Sequence, residues 1–514
     1  MTEPPTADPG LPRPASTHSF WHAPPSAFLH AHRTTASLPS SVSTVIIGSG
    51  IAGTMLFHNL HKLGLSDSTL MLEARNTCWG ATGRNGGHCK PMLYQSGEFV
   101  DMCSVFGVDE ALERIRFEAL NLQLVKDYIE RENVNCEWVE TSSADVFYEA
   151  APFELAKLNI EALQRLAPEL AARLRVVENR RELRESLRTP TAVGAVVFTA
   201  GKLSPYKLVS HILEKAVKDQ GLNLQTTTPA CSVSRAGDKW AVETPRGIVT
   251  ADRVIFATNA HTAHLLPVFR GWIYPVRAQM SALIPPKSLK DRPLTHSYGL
   301  VKHDRKTACY LIQRPLDEDG GGGELMLGGC REFEENQGIG MQDGAINLNV
   351  AYGLRTSIPG YFADETGYEG EDAGEEHSRE LRKSFIEKFQ CKARMEWSGT
   401  MGFSKDKRPF VGRVPAVGEG DAEKLRINRM DDTKGLWMLA GFEGHGMAFT
   451  SGSALALATM IEADVKGTGS HDLSLYEWFP RTFEATPERL GLVDVENWEE
   501  VPQEDGWELI DKEG

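Results

Sequence analysis

The stretch from Val42 to Glu73 constrains the fold more than any other part of the chain. A β-branched run, Val42 to Ile47, ends in a glycine turn. Apolar residues follow at helical spacing (Ile51, Met55, Leu56, Leu60 and Leu63), and Gly64 stops them. Thr69 to Leu72 is a second short strand that delivers Glu73. Gly48, Gly50 and Gly53 complete G-x-G-x-x-G at the turn. In such a unit the first glycine allows the tight turn, the second lets a pyrophosphate approach the backbone, and the third lets helix pack on strand. The helix N-terminus then presents its amides and the positive end of its dipole to the phosphates. Glu73, twenty positions beyond Gly53, falls where a carboxylate accepts from ribose hydroxyls. The pattern predicts a Rossmann-like unit that binds a dinucleotide.

A chain of 514 residues exceeds one simple core, so two or three domains are expected. Its hydrophobic content of 41% and charged content of 24% fit a globular protein. The net charge of −15 argues against nucleic acid or an anionic membrane as partner, since both attract basic surfaces. The eight cysteines show no C-x-x-C and no zinc-like Cys/His spacing, which implies reduced thiols and no metal site. The start lacks a basic and apolar leader, and no apolar run approaches the ~20 residues of a spanning helix. A cytoplasmic protein without membrane segments is the expectation.

Along the chain, residues 1–17 read as a disordered lead, and the aromatic- and histidine-bearing Ser19 to Pro39 as an arm on the domain surface. Between Gly80 and Gly87 four glycines, one alanine and one threonine imply a backbone pressed close to something flat. Residues 98 to about 190 read mostly helical, over Ala111 to Glu132 and over Pro152 to Leu187 with a break at Pro168. Gly194 to Ser204 is strand and turn, and Pro205 to Gln220 a helix stopped by Gly221. Short strands follow to Thr250, with a hairpin at Ala236-Gly237-Asp238. A buried strand, Arg253 to Ala257, then ends in Thr258-Asn259-Ala260. Strand-like pieces recur at Tyr274 to Leu283, Ala308 to Gln313 and Glu324 to Leu327, with a glycine tip at 320–323. An acidic loop (Gly367 to Glu376) and a helix (Glu380 to Phe389) are expected before the last block. There Leu436 to Ala440 is a strand that runs into a second glycine loop, G-F-E-G-H-G-M, and a helix.

The two glycine-rich strand-to-helix joints suit two ends of one cofactor. The first fits a pyrophosphate. The second places helix amides where a ring that gains negative charge on reduction needs them, which favours FAD over NAD.

The chain resembles FAD-dependent oxidoreductases of the D-amino-acid oxidase superfamily, the group that holds glycine, sarcosine and γ-glutamylputrescine oxidases. The residues that carry the resemblance are V-I-I-G-S-G-I-A-G with Glu73, G-A-T-G-R-N-G-G-H, V-I-F-A-T-N-A, W-S-G-T-M-G-F with R-P-F-V-G, and G-F-E-G-H-G-M. The arm S-F-W…H-R-T-T…L-P is similar to the γ-glutamylputrescine oxidase-like fungal and bacterial members. The resemblance implies an α/β fold: a GR2-type FAD-binding Rossmann-like domain with an interleaved α+β substrate domain on a mixed sheet. The FAD domain would comprise 40–95, 195–270 and 397–465, and the substrate domain 96–194 and 271–396. An N-terminal arm, 1–39, and an acidic C-terminal tail, 466–514, complete the chain.

By match to these motifs, Gly48, Ser49, Gly50, Ile51, Ala52 and Gly53 would lie on the pyrophosphate, and Glu73, with Ala74 and Arg75, on the ribose. Ala81, Thr82, Arg84, Asn85, Gly86 and Gly87 would lie by the isoalloxazine, with Thr258 and Asn259 at the sheet edge. Gly444, His445, Gly446 and Met447 would lie at the pyrimidine end. The implied reaction oxidises a C–N bond of an amine or amino-acid-like small molecule by hydride transfer to the flavin. Dioxygen would be the acceptor, and the role one in secondary metabolism. The absence of a cysteine from Pro409 to Gly420, where several relatives attach their flavin, implies non-covalent FAD.

His445, the side-chain donor of the second loop, is the first candidate to touch flavin or substrate. His88 either faces them or is a satisfied core or capping histidine. Arg277 is a candidate for gripping a substrate carboxylate, as is Arg314, with structural charge the competing role of each. Tyr310 either closes the pocket or packs in the core. The competing functions are a flavin dehydrogenase acting on a non-amine substrate and a non-catalytic FAD-binding scaffold.

Overall fold

The computed structural model describes residues 4–94, 98–302, 308–319, 321–362, 391–418, 432–468 and 473–492. Within them lie two sheets. Seventeen strands are present in chain order: β1 (Ser41–Ile47), β2 (Thr69–Leu72), β3 (His88–Cys89), β4 (Val139–Phe147), β5 (Arg175–Val177), β6 (Gly194–Lys202), β7 (Asn223–Gln225), β8 (Ser232–Ala236) and β9 (Lys239–Thr244), then β10 (Gly247–Phe256), β11 (Ile273–Leu283), β12 (Ser297–Val301), β13 (Cys309–Gln313), β14 (Leu325–Gly328), β15 (Ala393–Ser404), β16 (Phe410–Arg413) and β17 (Leu436–Ala440).

The first sheet has the order β16-β17-β10-β1-β2-β7. Its central strands run parallel: β1 pairs with β2 and β10, and β10 with β17. Their apolar runs fill both faces, as parallel strands covered on two sides require. Ile46, Met71 and Ile255 point into one core with the helices Ile51–Lys62, Pro205–Asp219 and Gly446–Lys466. Their neighbours Val45, Ile47, Leu70, Leu72, Val254 and Phe256 point into the other. The β8–β9 hairpin at Gly237 forms as the sequence predicts, and Ser204 caps the helix Pro205–Asp219 by accepting from the Lys207 amide.

The second sheet has the order β15-β11-β14-β13-β12-β4-β6-β3, with β5 beside β6. It is antiparallel except where β12 meets β4. Its longest ladder is β11–β15, from Ile273↔Ser404 to Leu283↔Ala393.

Several sequence expectations change. The region from 98 to 190 is mostly helical as expected, but β4 within it joins the second sheet and β5 interrupts Pro152 to Leu187. The run V-E-T-S-S-A-D-V-F hides its strand behind hydroxyls, of which Thr141 Oγ1 donates to Thr295 O and Ser142 Oγ bonds His296 Nδ1. The pieces Gly247 to Thr250 and Arg253 to Ala257 are one strand. The boundaries expected at 195 and 397 fall inside β6 and β15, both strands of the second sheet. Residues 4–17 lie against the protein, where Asp8 pairs with Arg270 and His264, and Thr17 N donates to Asp343 O. The arm is inserted rather than laid on the surface: Trp21 and His22 are buried, and His22 stacks on Trp79 at 3.8 Å. Gly320, the acidic loop Gly367 to Glu376, the helix Glu380 to Phe389 and residues 493–514 lie outside the described residues.

All eight cysteines are free thiols, and the described residues contain no cluster suited to a metal ion. No described helix is long and apolar enough to cross a membrane.

Candidate active site

A cavity of about 1160 Å³ runs between the two sheets and is lined by both glycine-rich joints. At the first joint two glycines are required by the protein itself. A Cβ on Gly48 would stand 2.5 Å from Ala257 O, and one on Gly53 would stand 2.1 Å from Gly48 O. Gly50 is different: its Cβ would meet only the Thr82 hydroxyl, at 3.2 Å, and it faces the cavity. That is the arrangement in which a ligand's phosphate reaches backbone.

Glu73 stands beside this turn with both oxygens anchored. Oε2 accepts from Ser49 N (3.1 Å) and Ser49 Oγ (2.6 Å), and Oε1 from Arg75 N (2.9 Å). Oε1 keeps a further lone pair, so Glu73 is fixed in place and still able to accept. Ser49 is spent on this task. Its hydroxyl also accepts from Cys78 N, and it does not reach the cavity.

Arg75 and Arg84 share Asp343, at 3.0 and 3.3 Å, and both donate to Trp79 O. Arg84 also binds Ser398 O, Thr17 and Ser16. It therefore staples the arm, the glycine-rich segment and β15 together, and burial lowers its guanidinium to about 10. Thr82 Oγ1 accepts from Ile51 N, and Asn85 Oδ1 from Gly87 N. Gly87 packs on Leu203 O and Trp21 away from the cavity, whereas Ala81, Thr82 and Gly86 line it.

The second joint is bound to the first sheet by Asn259. Its Oδ1 accepts from Gly441 N (3.0 Å) and Phe442 N (3.3 Å). Thr258 bonds Thr262, and both Thr258 and Asn259 line the cavity. The loop turns through positive φ at Gly441, Glu443 and Gly444. The helix from Gly446 thus begins at the cavity, which Gly444, His445, Gly446 and Met447 line.

The second sheet supplies the opposite wall. Along β11, Tyr274, Val276, Ala278 and Met280 face the cavity, as the two-residue period dictates. Arg277 consequently does not join the site. It lies on the other face of the strand, bound through Nε and Nη2 to the Glu334 carboxylate at 3.1 and 2.8 Å. Arg314 is likewise held by Glu137 and Glu324. His88 does line the cavity, edge-on to Tyr310 at 5.5 Å. Its Nε2 has no hydrogen-bond partner among the described residues, and burial drives the imidazole down to about 3, so it is neutral. Tyr310 lines the cavity too.

Two charged groups escaped the sequence reading. Arg331 lines the cavity with Nε and Nη2 on Gln337 O (3.2 and 2.9 Å) and its guanidinium 5.6 Å from the Phe403 ring. No carboxylate pairs with it among the described residues; burial lowers its affinity for its proton, and its field acts on Tyr310 and Tyr274. No motif surrounds it, and nothing local in G-C-R-E-F-E distinguishes it. Glu443 lies within the quoted glycine-loop motif, where only the histidine had been weighed as a donor. Burial pushes its carboxyl up to about 7.

A volume above the usual range of roughly 300–1,000 Å³ for small-molecule pockets suits a dinucleotide with a substrate beside it. The glycine turn, the anchored carboxylate and the second helix start fit the pyrophosphate, ribose and ring of FAD.

The FAD dependent oxidoreductase family matches residues 43–460. The probable oxidoreductase OrdL of Rhizobium meliloti (strain 1021) is 26% identical over 270 residues, which are 52% of this chain and 49% of that protein, so the match spans about half of the relative. Glycine oxidase from Geobacillus kaustophilus superposes with a TM-score of 0.59 at 16% identity, over 87% of this chain and 99% of that one. Iminodiacetate oxidase from Chelativorans sp. BNC1 gives 0.59 at 15% identity, over 86% and 99%. L-proline dehydrogenase from P. horikoshii gives 0.56 at 18% identity, over 87% and 98%. The family match over most of the chain, on the fold these structures share, identifies the protein as a member of the FAD-dependent oxidoreductases of the D-amino-acid oxidase superfamily, with FAD as its cofactor.

Proposed function

We propose that this enzyme oxidises the C–N bond of a small carboxylate-bearing amine or amino acid, with dioxygen as the terminal electron acceptor. The observation that carries the reading is Arg331, a guanidinium without a carboxylate partner among the described residues, facing the cavity beside Tyr274 and Tyr310. A planar cation held only by a carbonyl is suited to a substrate carboxylate, which it can grip through two hydrogen bonds. The names of the similar enzymes, which include glycine and iminodiacetate oxidases, point to the same substrate class.

In this reading Gly50, Ile51 and Ala52 hold the pyrophosphate and Glu73 the ribose. Thr82, Asn259 and the Gly444–Met447 joint flank the ring. The bound flavin supplies the two-electron acceptor. Tyr274, Tyr310, Met280 and His88 exclude water around the reacting carbon. His88, neutral through burial, adds no charge to the cavity.

The test is anaerobic bleaching of the purified holoenzyme by a panel of amino acids and of matched amines without a carboxylate, followed by a peroxide assay in air. Amino acids should bleach the flavin and yield peroxide. Arg331→Met should raise their KM by roughly tenfold to a hundredfold, the worth of a charge-assisted hydrogen bond, and leave carboxylate-free amines unaffected. Bleaching by no amine or amino acid would overturn the reading. A dehydrogenase would bleach without forming peroxide.

A further inference from the structure

The loop that carries His445 also carries Glu443, in the left-handed region at φ 53 that a side chain other than glycine seldom adopts. Its carboxyl is fixed from one side only. Oε1 accepts from the Ser404 amide and from Ser404 Oγ (3.0 Å), both at the end of β15. Oε2 makes no hydrogen bond among the described residues, Glu443 has no ion-pair partner among them, and the residue lines the cavity. The residue before Ser404 is Phe403, whose ring lies under the Arg331 guanidinium. Tyr274 feels both groups, the acid and the cation. One carboxyl and one guanidinium therefore face the same space around Phe403 and Tyr274, as the two ends of a zwitterion require.

The substrate class proposed above arrives at neutral pH as an ammonium, and an ammonium nitrogen has no lone pair with which to form C=N. Something must take that proton. We infer that Glu443 is the proton acceptor: an N–H bond of the substrate ammonium breaks, an O–H bond forms on Glu443 Oε2, and the nitrogen is left neutral beside an uncharged acid. No redox change accompanies this transfer. The inference rests on the function proposed above.

The surroundings suit the task. Burial raises the Glu443 carboxyl to about 7, which matches a base working near neutrality. From the helix Val108–Arg131, Arg114 favours its ionised form, but Arg114 is itself engaged by Glu118 at 3.8 Å and by Lys407 O. From the turn after β15, Asp406 opposes ionisation but is neutralised by Arg408 and Arg489. Lys405 and Lys407 line the cavity from that turn, Tyr274 faces it from β11, Arg331 from the segment after β14, and His445 from the same loop. Above its pKa Glu443 is a carboxylate and can accept; below it the site is already protonated and cannot.

The experiment uses the full-length holoenzyme and the amino acid that bleaches it fastest. The anaerobic flavin-reduction rate of the wild type should rise with pH through a limb near pH 7. In Glu443→Gln, whose amide oxygen still accepts from Ser404, the rate should fall about 10²-fold at neutral pH and recover as the substrate's own ammonium ionises, at about pH 9–10. Independently, infrared difference spectra of the substrate-free protein should show a carboxylic acid band titrating near neutrality in the wild type and missing in Glu443→Gln. An unmoved limb, or a loss equal at every pH as a structural role would give, overturns the inference while leaving the substrate class standing. Bleaching by no amine or amino acid overturns both.

Discussion

Gly50 and Gly53 belong to one motif but have different reasons to be glycine. Gly53 is fixed by the protein, since any Cβ would press on the Gly48 carbonyl at 2.1 Å. Gly50 meets no backbone of the protein and faces the cavity, where the proposed reading puts a phosphate. Gly53→Ala should therefore destabilise the fold, by about 1–3 kcal/mol or more, with a lowered thermal midpoint even in apoprotein. Gly50→Ala should leave the apoprotein midpoint nearly unchanged and instead weaken FAD binding, measured by flavin fluorescence. The steric need at Gly53 was legible because it is local. Arg331 and Glu443 were not, because each acquires its meaning from chain far away: Phe403 and Gln337 for the arginine, Ser404 for the acid. Arg277 misled for the converse reason, being the right residue type on the wrong face. The signal that could have corrected it is the alternation in P-V-R-A-Q-M, whose apolar members, Val276, Ala278 and Met280, form the cavity wall.

Among the elements, strands in the parallel sheet announced themselves through unbroken apolar runs, whereas β4 hid behind serine, threonine and aspartate. Alternation is weak when the polar members find partners inside the protein. The turn after β15 carries a different kind of information. Asp406 accepts from Arg489 Nε (2.7 Å) and Nη2 (2.9 Å) and from Arg408 Nη2 (2.8 Å), and Arg489 lies 3.6 Å from the Phe410 ring centroid. In the sequence Asp406 reads as one charge among several in K-D-K-R; its partner is eighty-three positions away. Replacing it leaves a buried guanidinium, with Arg489 at 5% exposure, without its counter-charge. Asp406→Ala should cost about 3–5 kcal/mol in denaturant unfolding. Burial alone would raise this carboxyl, but Arg489 and Arg408 outweigh it and hold it below its ordinary 3.8. The pair's stabilisation is thus present above about pH 4 and lost on further acidification, and Asp406→Ala should lack that acid-dependent part.

At the scale of the whole molecule, the first sheet could be read because one βαβ unit sets its direction and the later strands repeat the same chemistry. The second sheet could not, since its strands come from four separated stretches and its longest ladder joins residues more than a hundred positions apart. The expected boundaries therefore cut through β6 and β15. The arm was misjudged for a related reason: its prolines and threonines resemble a solvated lead, but its partners lie beyond residue 75. Asp8 is held by Arg270 and His264, Pro9 O accepts from Gln342, and Ser16 and Thr17 meet Arg84. Pro4, Leu11 and Pro12 form part of the cavity wall.

That last contact bears on time rather than affinity. A segment that lines the cavity and is fastened at Asp8 and at Thr17 would act on exchange if bound cofactor had to pass it on leaving. Deleting residues 1–17 should shorten the residence time of FAD, read as faster recovery of flavin fluorescence after dilution, while substrate reduction of the flavin that is still bound proceeds at its former rate. The opening segment of the chain would then set how often each molecule changes its cofactor in a lifetime of turnovers.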